Sequence, residues 1–243
     1  MKNDTVHAIT LGVIKYGDTS LISACFTLEH GLQSYMLKGI LSKGGRKISK
    51  SLFEPLNLLE LQASKNTNNR LGYIKEAKLN SIYKSIPFDL GKKSLLFFLS
   101  EVLHQVFREE QESNPPLYHF IEKNLLWLDT QNDLSLFHIK MMLDLTRFIG
   151  FYPNISNIKA PYFDLKSGCM SFAKSKTPFL KDPLKSYWIQ ILGTAFDEIG
   201  DIKLPKQQKM ELLNQVITYF ELHLQQFKPP KSTKILNEIF KTP

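Results

Sequence analysis

The chain has 243 residues, 43% of them hydrophobic and 22% charged, with 12 Gly, 12 Pro and 2 Cys, a composition that excludes a disordered, collagen-like or disulfide-stapled protein. Its 31 Lys and Arg against 23 Asp and Glu leave a net charge of +8, which suits a polyanionic partner. No run of about 18 apolar residues occurs, and no apolar segment leads into a small-residue cleavage site, so neither membrane spanning nor export is expected.

The first predicted elements are strands. Ile9, Leu11 and Val13 alternate within 6–14, and 21–26 is a second short run of β-forming residues, with Tyr16, Gly17 and Asp18 supplying the turn. A third strand is expected at 33–38, entered through His30 and Gly31, a fourth at 56–62 and a fifth at 71–79. Five short strands with one long loop between the third and fourth fit a small closed barrel of the OB type better than a sandwich.

After Pro87 the apolar period changes. Leu95, Leu99, Val102 and Val106 predict an amphipathic helix running to about residue 112. Pro115 and Pro116 open a second helix, because proline is tolerated in a first turn whose N–H groups have no intrahelical partner. A third spans 136–149, closed by Gly150. Within 151–179 the helical period fails, and 162–165, a turn at Gly168 and 169–172 read as a β-hairpin. Helical spacing returns at 183–198 and 205–226, with a short last helix at 233–240. The expected class is α+β: an OB-fold barrel over 1–82 and a mainly helical domain over 83–243, carrying a small insertion at about 151–179.

Motifs for enzymatic chemistry are missing. The sequence has no phosphate-binding P-loop, no metalloprotease HExxH and no nucleophile-elbow GxSxG, and its six histidines are too dispersed for a helical metal pair. Charge is distributed more tellingly. Residues 1–80 hold 11 basic and 6 acidic side chains, whereas 81–243 hold 20 and 17. No acid lies between Glu29 and Glu54, while Lys38, Lys43, Arg46, Lys47 and Lys50 fall in that gap among Gly39, Gly44 and Gly45. Cations spaced along a deformable loop are what a nucleic-acid backbone requires, since phosphate attraction is long-ranged and indifferent to sequence. Arg70 and Lys75, near the fifth strand, extend this candidate site. Tyr35 and Phe53 flank the loop, and both are assigned first to the barrel core.

Several segments then resemble one family. AITLGVI at 8–14, YGDTSLI at 16–22, FTLEHG at 26–31, LKG at 37–39 and LFEPLNLLEL at 52–61 resemble, in order and spacing, the N-terminal half of the RecO family of bacterial recombination mediators. FIGFYP at 148–153, the hairpin, and YFELHL at 219–224 followed by PKS at 230–232 are similar to its later landmarks. The resemblance implies an OB-fold, a helical C-terminal part and an element that in many members binds zinc through four cysteines. Here only Cys169 falls in that element, so no metal and no other cofactor is expected.

The resemblance further implies a non-enzymatic, cytoplasmic, nucleoid-associated protein. Such a protein binds single- and double-stranded DNA, anneals complementary strands, and works with RecR and the single-stranded-DNA-binding protein, and through them with RecA. The acidic, apolar tail of the single-stranded-DNA-binding protein is expected on the third helix, with Lys140 and Arg147 as its cations beside Met141, Met142 and Leu145. The competing class is an OB-fold adaptor whose helical part mainly binds proteins. A membrane-surface protein would require a helix with one strongly basic face, and the helices here mix both signs.

Overall fold

A computed structural model describes residues 3–42, 48–64, 71–109, 111–132, 134 and 136–239. The chain forms two compact units, Met1–Thr130 and Gln131–Pro243.

The first unit is built on a closed five-stranded barrel of OB-fold type. Its strands are β1 (Asn3–Tyr16), β2 (Ser20–Thr27), β3 (Gly31–Leu37), β4 (Leu58–Ser64) and β5 (Gly72–Leu79), joined in the order β1-β2-β3-β5-β4 with β4 returning to β1. β1 is long because it serves two neighbours: its first half pairs with β4 and its second with β2, and the register shifts between Thr10 and Gly12. Such a bulge bends a strand enough to let it pass from one side of a barrel to the other.

Period-two alternation fills the interior. Val6, Ala8, Leu21, Cys25, Tyr35, Leu37, Leu59 and Leu61 are buried together, with Phe53 from a 3-10 turn at Lys50–Phe53 closing the core. Burial pushes the Cys25 thiol up to about 12, against a weaker pull from Ser23, so it is an inert packing residue.

Closure rests on a short parallel join, Tyr35 with Gly72 and Met36 with Tyr73. Gly72 is required there: a Cβ would lie 2.7 Å from the Ser64 carbonyl oxygen and 2.8 Å from the Tyr35 ring. The start of β3 is covered by the segment after α1 (Leu90–Glu109), where Leu32 N–H donates to the Gln111 carbonyl at 3.0 Å and, just before the strand, Ser113 Oγ donates to that of Leu28 at 2.7 Å. The helix therefore ends at Glu109, short of the expected 112, because this backbone is used for covering β3.

Phe107 of α1 stacks on Phe26 of β2, with ring centroids 3.8 Å apart. α2 (Pro115–Thr130) ends in a polar clasp. The Asp129 carboxylate accepts the N–H groups of Lys84, Ser85 and Ile86 at 2.7–2.9 Å, and buried Lys92 donates to Ser85 Oγ at 2.6 Å and to the Asp129 carbonyl at 3.0 Å. Burial alone would raise the Asp129 pKa; the three N–H donors outweigh it and hold it below the usual carboxylate range.

The second unit contains α3 (Phe137–Leu145), a small sheet of β6 (Tyr162–Asp164), β7 (Cys169–Ser171) and β8 (Phe179–Leu180), then α4 (Leu184–Gly193), α5 (Lys206–His223) and α6 (Thr233–Ile239). α3 stops four residues before the expected 149, and 146–150 are turns ending at Gly150 with φ 83°. The expected hairpin gains a third strand, giving the order β7-β6-β8. α4 stops at Gly193 and is followed by a 3-10 turn, Phe196–Asp201, in place of the continuous helix expected to 198. Phe163 of β6 packs on Trp188 of α4 and Tyr219 of α5, with ring centroids 5.4 and 6.2 Å apart. Among the described residues, no helix is long and apolar enough to cross a membrane.

Candidate nucleic-acid interface

The alternation that fills the barrel also determines its outside. Ile14 on β1 is opposite Ile22 on β2, Ile22 opposite Met36 on β3, and Met36 opposite Tyr73 on β5. Directly opposed residues share a face, so these four form one apolar row running across four strands. Leu21, Tyr35 and Leu37, in the other phase, are buried. The ends of the row are open, with Ile14 63% and Tyr73 51% exposed, and Tyr16, in the next outward position on β1, is 55% exposed.

Cations border this row. Lys38 follows β3, where Ser20 Oγ accepts the Gly39 N–H at 2.9 Å and the Thr19 carbonyl accepts the Leu41 N–H at 2.9 Å, so the start of the basic loop is anchored to the β1–β2 turn. Lys75 is left unpaired in the ladder by a register shift between Gln62 and Ala63. Lys38 and Lys75 line one groove of about 290 Å³ with Met36, Ile40, Ile48 and Tyr73.

The other expected residues are placed differently. Lys50 lines a separate groove of about 630 Å³ with Phe53, Lys93 and Phe97, and so is not brought to Lys38 and Lys75. Lys43, Arg46, Lys47 and Arg70 lie outside the described residues. Tyr35 and Phe53 are buried in the core. A further cation of β5, Lys78, is paired with Glu60 at 2.9 Å. Beside the row Ile14, Ile22 and Met36, the exposed rings among the described residues are Tyr16 and Tyr73, which sequence reasoning passed over. Their signal is the strand phase: once Tyr35 and Leu37 are set inward, Met36 and its partner Tyr73 must face out.

On α3, Lys140 is only 3% exposed and donates to Asp144 Oδ1 at 2.9 Å, with the Phe196 ring beneath its ammonium. Burial pushes the Asp144 pKa up, against the opposing pull of Lys140 and Arg147. Met141, Met142 and Leu145 are buried. Arg147 is half-exposed and donates to Tyr152 Oη at 2.7 Å, so it is the one cation of the expected pair that faces solvent.

The zinc implied for the inserted element can be tested on its residues. A structural zinc site takes four Cys or His ligands. Cys169 is the only thiol there, and its Sγ is 3.4 Å from the Ser167 carbonyl oxygen. His223 Nε2 donates to the Leu165 carbonyl at 2.9 Å, and Asp164 is engaged by Lys166, Ser167 and Thr177. Among the described residues, no group of three or more His, Cys, Asp or Glu could hold a metal. The residues do not fit a zinc ion. Hydrogen bonds to Asp164 and packing of Phe163 and Tyr219 hold the small sheet.

Comparison with known proteins divides the chain after the barrel, within the first compact unit. Residues 1–83 match the family described as Recombination protein O N terminal, and residues 87–234 match Recombination protein O C terminal. The proteins named DNA repair protein RecO from Christiangramia forsetii and Flavobacterium johnsoniae are each 37% identical to this chain, covering 96% of it and 97% of their own length. The protein of that name from Bacteroides fragilis is 32% identical over the same shares.

Proposed function

The chain belongs to the RecO family, and from that premise we propose that it acts in DNA repair and recombination by binding DNA on the outer face of its barrel and annealing complementary strands. The observation that carries the reading is the row Ile14, Ile22, Met36 and Tyr73 with Lys38 and Lys75 beside it. Apolar and aromatic side chains on a barrel face offer a stacking surface to unpaired bases, and stacking is tolerant of sequence because every base has a π-face. Lysines at the border neutralise phosphates and release counterions.

Annealing needs no catalytic group. Two strands repel through their phosphates; a cationic surface lowers that repulsion while base edges remain free to pair. The partners carried with this proposal are those that the family resemblance implies: RecR, the tail of the single-stranded-DNA-binding protein, and RecA indirectly.

The test is titration of a labelled oligonucleotide at several salt concentrations with wild type and Lys38→Ala/Lys75→Ala protein. The proposal expects binding that weakens with salt, with a slope lower in the variant by about 0.7 per lost phosphate contact. Equal slopes would remove this face from the site. Absence of binding at low salt would favour the adaptor reading.

A further inference from the structure

Residues 151–181 hold five lysines, Lys159, Lys166, Lys174, Lys176 and Lys181, against one acid, Asp164. All five lysines are exposed, while Asp164 is buried. Its carboxylate is fully engaged: Oδ1 accepts the N–H groups of Lys166 and Ser167 at 2.9 and 2.8 Å, and Oδ2 accepts Thr177 Oγ1 at 2.8 Å. Burial would raise its pKa, but these bonds, with one from Ser175, bring it down to about 2. The element's one negative charge is therefore spent on hydroxyls and amides and compensates no lysine. Among the described residues, Lys166, Lys174 and Lys176 form no ion pair with a carboxylate.

The same bonds fix where the lysines stand. Asp164 joins the hairpin turn that carries Lys166 to the β7–β8 loop that carries Lys174 and Lys176, and the Lys174 ammonium lies 5.7 Å from the centre of the Phe179 ring. Phe172, at the start of that loop, is 71% exposed. The result is a held cationic surface with one open ring, on the compact unit that does not contain the barrel.

We propose that this sheet is a second nucleic-acid site, holding a second strand through its backbone while the barrel holds the first. The inference rests on the DNA-binding reading above. Nucleic acid is favoured over a membrane because the apolar side chains of the sheet, Phe163, Leu165 and Leu180, are buried and leave no broad face for lipid. It is favoured over an acidic peptide because a flexible peptide gains from an apolar slot beside the cations, and the exposed feature here is a projecting ring, suited to stacking. Two separate cationic surfaces on one molecule bring two strands together without requiring both to share one groove.

The experiment compares wild type, Lys166→Ala/Lys174→Ala/Lys176→Ala and Lys38→Ala/Lys75→Ala, all checked for folding by circular dichroism. Strands bound per chain at low salt and the rate of annealing of two complementary oligonucleotides are measured. The sheet variant should keep one strand, lose the second, and anneal at least about tenfold more slowly, in line with the loss of electrostatic steering. Unchanged strand number and rate in the sheet variant, with both reduced in the barrel variant, would overturn this inference and leave the DNA-binding reading standing. Absence of binding by wild type would overturn both. Loss of affinity for a poly-glutamate peptide with DNA binding intact would reassign the surface to acidic proteins and equally overturn it.

Discussion

A side chain on Gly31 would run into the backbone carbonyl of Gln111, since the loop after α1 is laid directly against the start of β3. Gly31 also has φ 67°, a region that residues with a Cβ rarely enter. The barrel's exposed stretch of β3 is thus covered by backbone, at a point where no side chain can be inserted.

Gly31→Ala should destabilise the first unit by at least about 2 kcal/mol, combining backbone strain with overpacking. Urea denaturation followed by tryptophan-independent circular dichroism measures it; a change under about 0.5 kcal/mol would mean that the loop simply moves away.

Tyr73→Ala separates stacking from charge. Removing an exposed ring should leave the fold intact and weaken single-strand binding by about 1–3 kcal/mol without changing the salt slope. A change in slope would place Tyr73 in the electrostatic part of the surface instead.

Lys140 and Asp144 form a buried pair, and removing Lys140 leaves the Asp144 carboxylate only the half-exposed Arg147, 3.7 Å away. Lys140→Met should cost about 3–5 kcal/mol, and Lys140→Met/Asp144→Leu should recover much of that loss. Thermal melts of the single and double variants decide it. If the single variant melts with wild type, the pair is not isolated from water.

His138 contributes a pH dependence of known sign. Burial, with help from the charge of Lys209, brings its pKa down to about 3 from an ordinary value near 6.5. The folded form keeps the ring neutral while the unfolded form takes up a proton, so stability falls as pH drops from about 6.5 toward 3, by up to about 1.4 kcal/mol per pH unit. Asp164 adds a lower window: its depressed pKa gives stability that is present above about 4 and is lost as pH falls toward 2. Unfolding free energies from pH 8 to 3 for wild type and His138→Phe should differ in slope below 6.5. Parallel curves would exclude the histidine as the source.

The barrel was legible because one face of every strand is buried, which imposes a period of two on the sequence; the order of pieces such as YGDTSLI and LFEPLNLLEL added the family. Other features had no such periodic trace. β8 is only two residues long and pairs through backbone, so no side-chain pattern marks it. Lys140 read as a cation open to a partner tail because its spacing from Asp144 does not say that α3 is buried on nearly all sides and the pair with it. The outward tyrosines were hidden for a different reason: which phase of a strand faces out is decided by packing of the whole barrel, and an aromatic residue fits either phase. The turn that carries Lys166 is joined to the loop that carries Lys174 and Lys176 by Asp164 reaching eleven to thirteen residues along the chain, which spacing alone does not reveal.

The parallel join between β3 and β5 is two residue pairs long, and one of those pairs, Met36 with Tyr73, is also one end of the exposed apolar row. The seam of the barrel and the surface proposed to bind DNA are therefore the same place. A strand lying across Met36 and Tyr73 spans the seam as a strap spans a split hoop, and the hoop cannot spring open until the strap is lifted. Barrel opening and release of the occupant become a single equilibrium, so amide exchange along β3 and β5 should slow in step with occupancy while the long β1–β2 ladder barely responds.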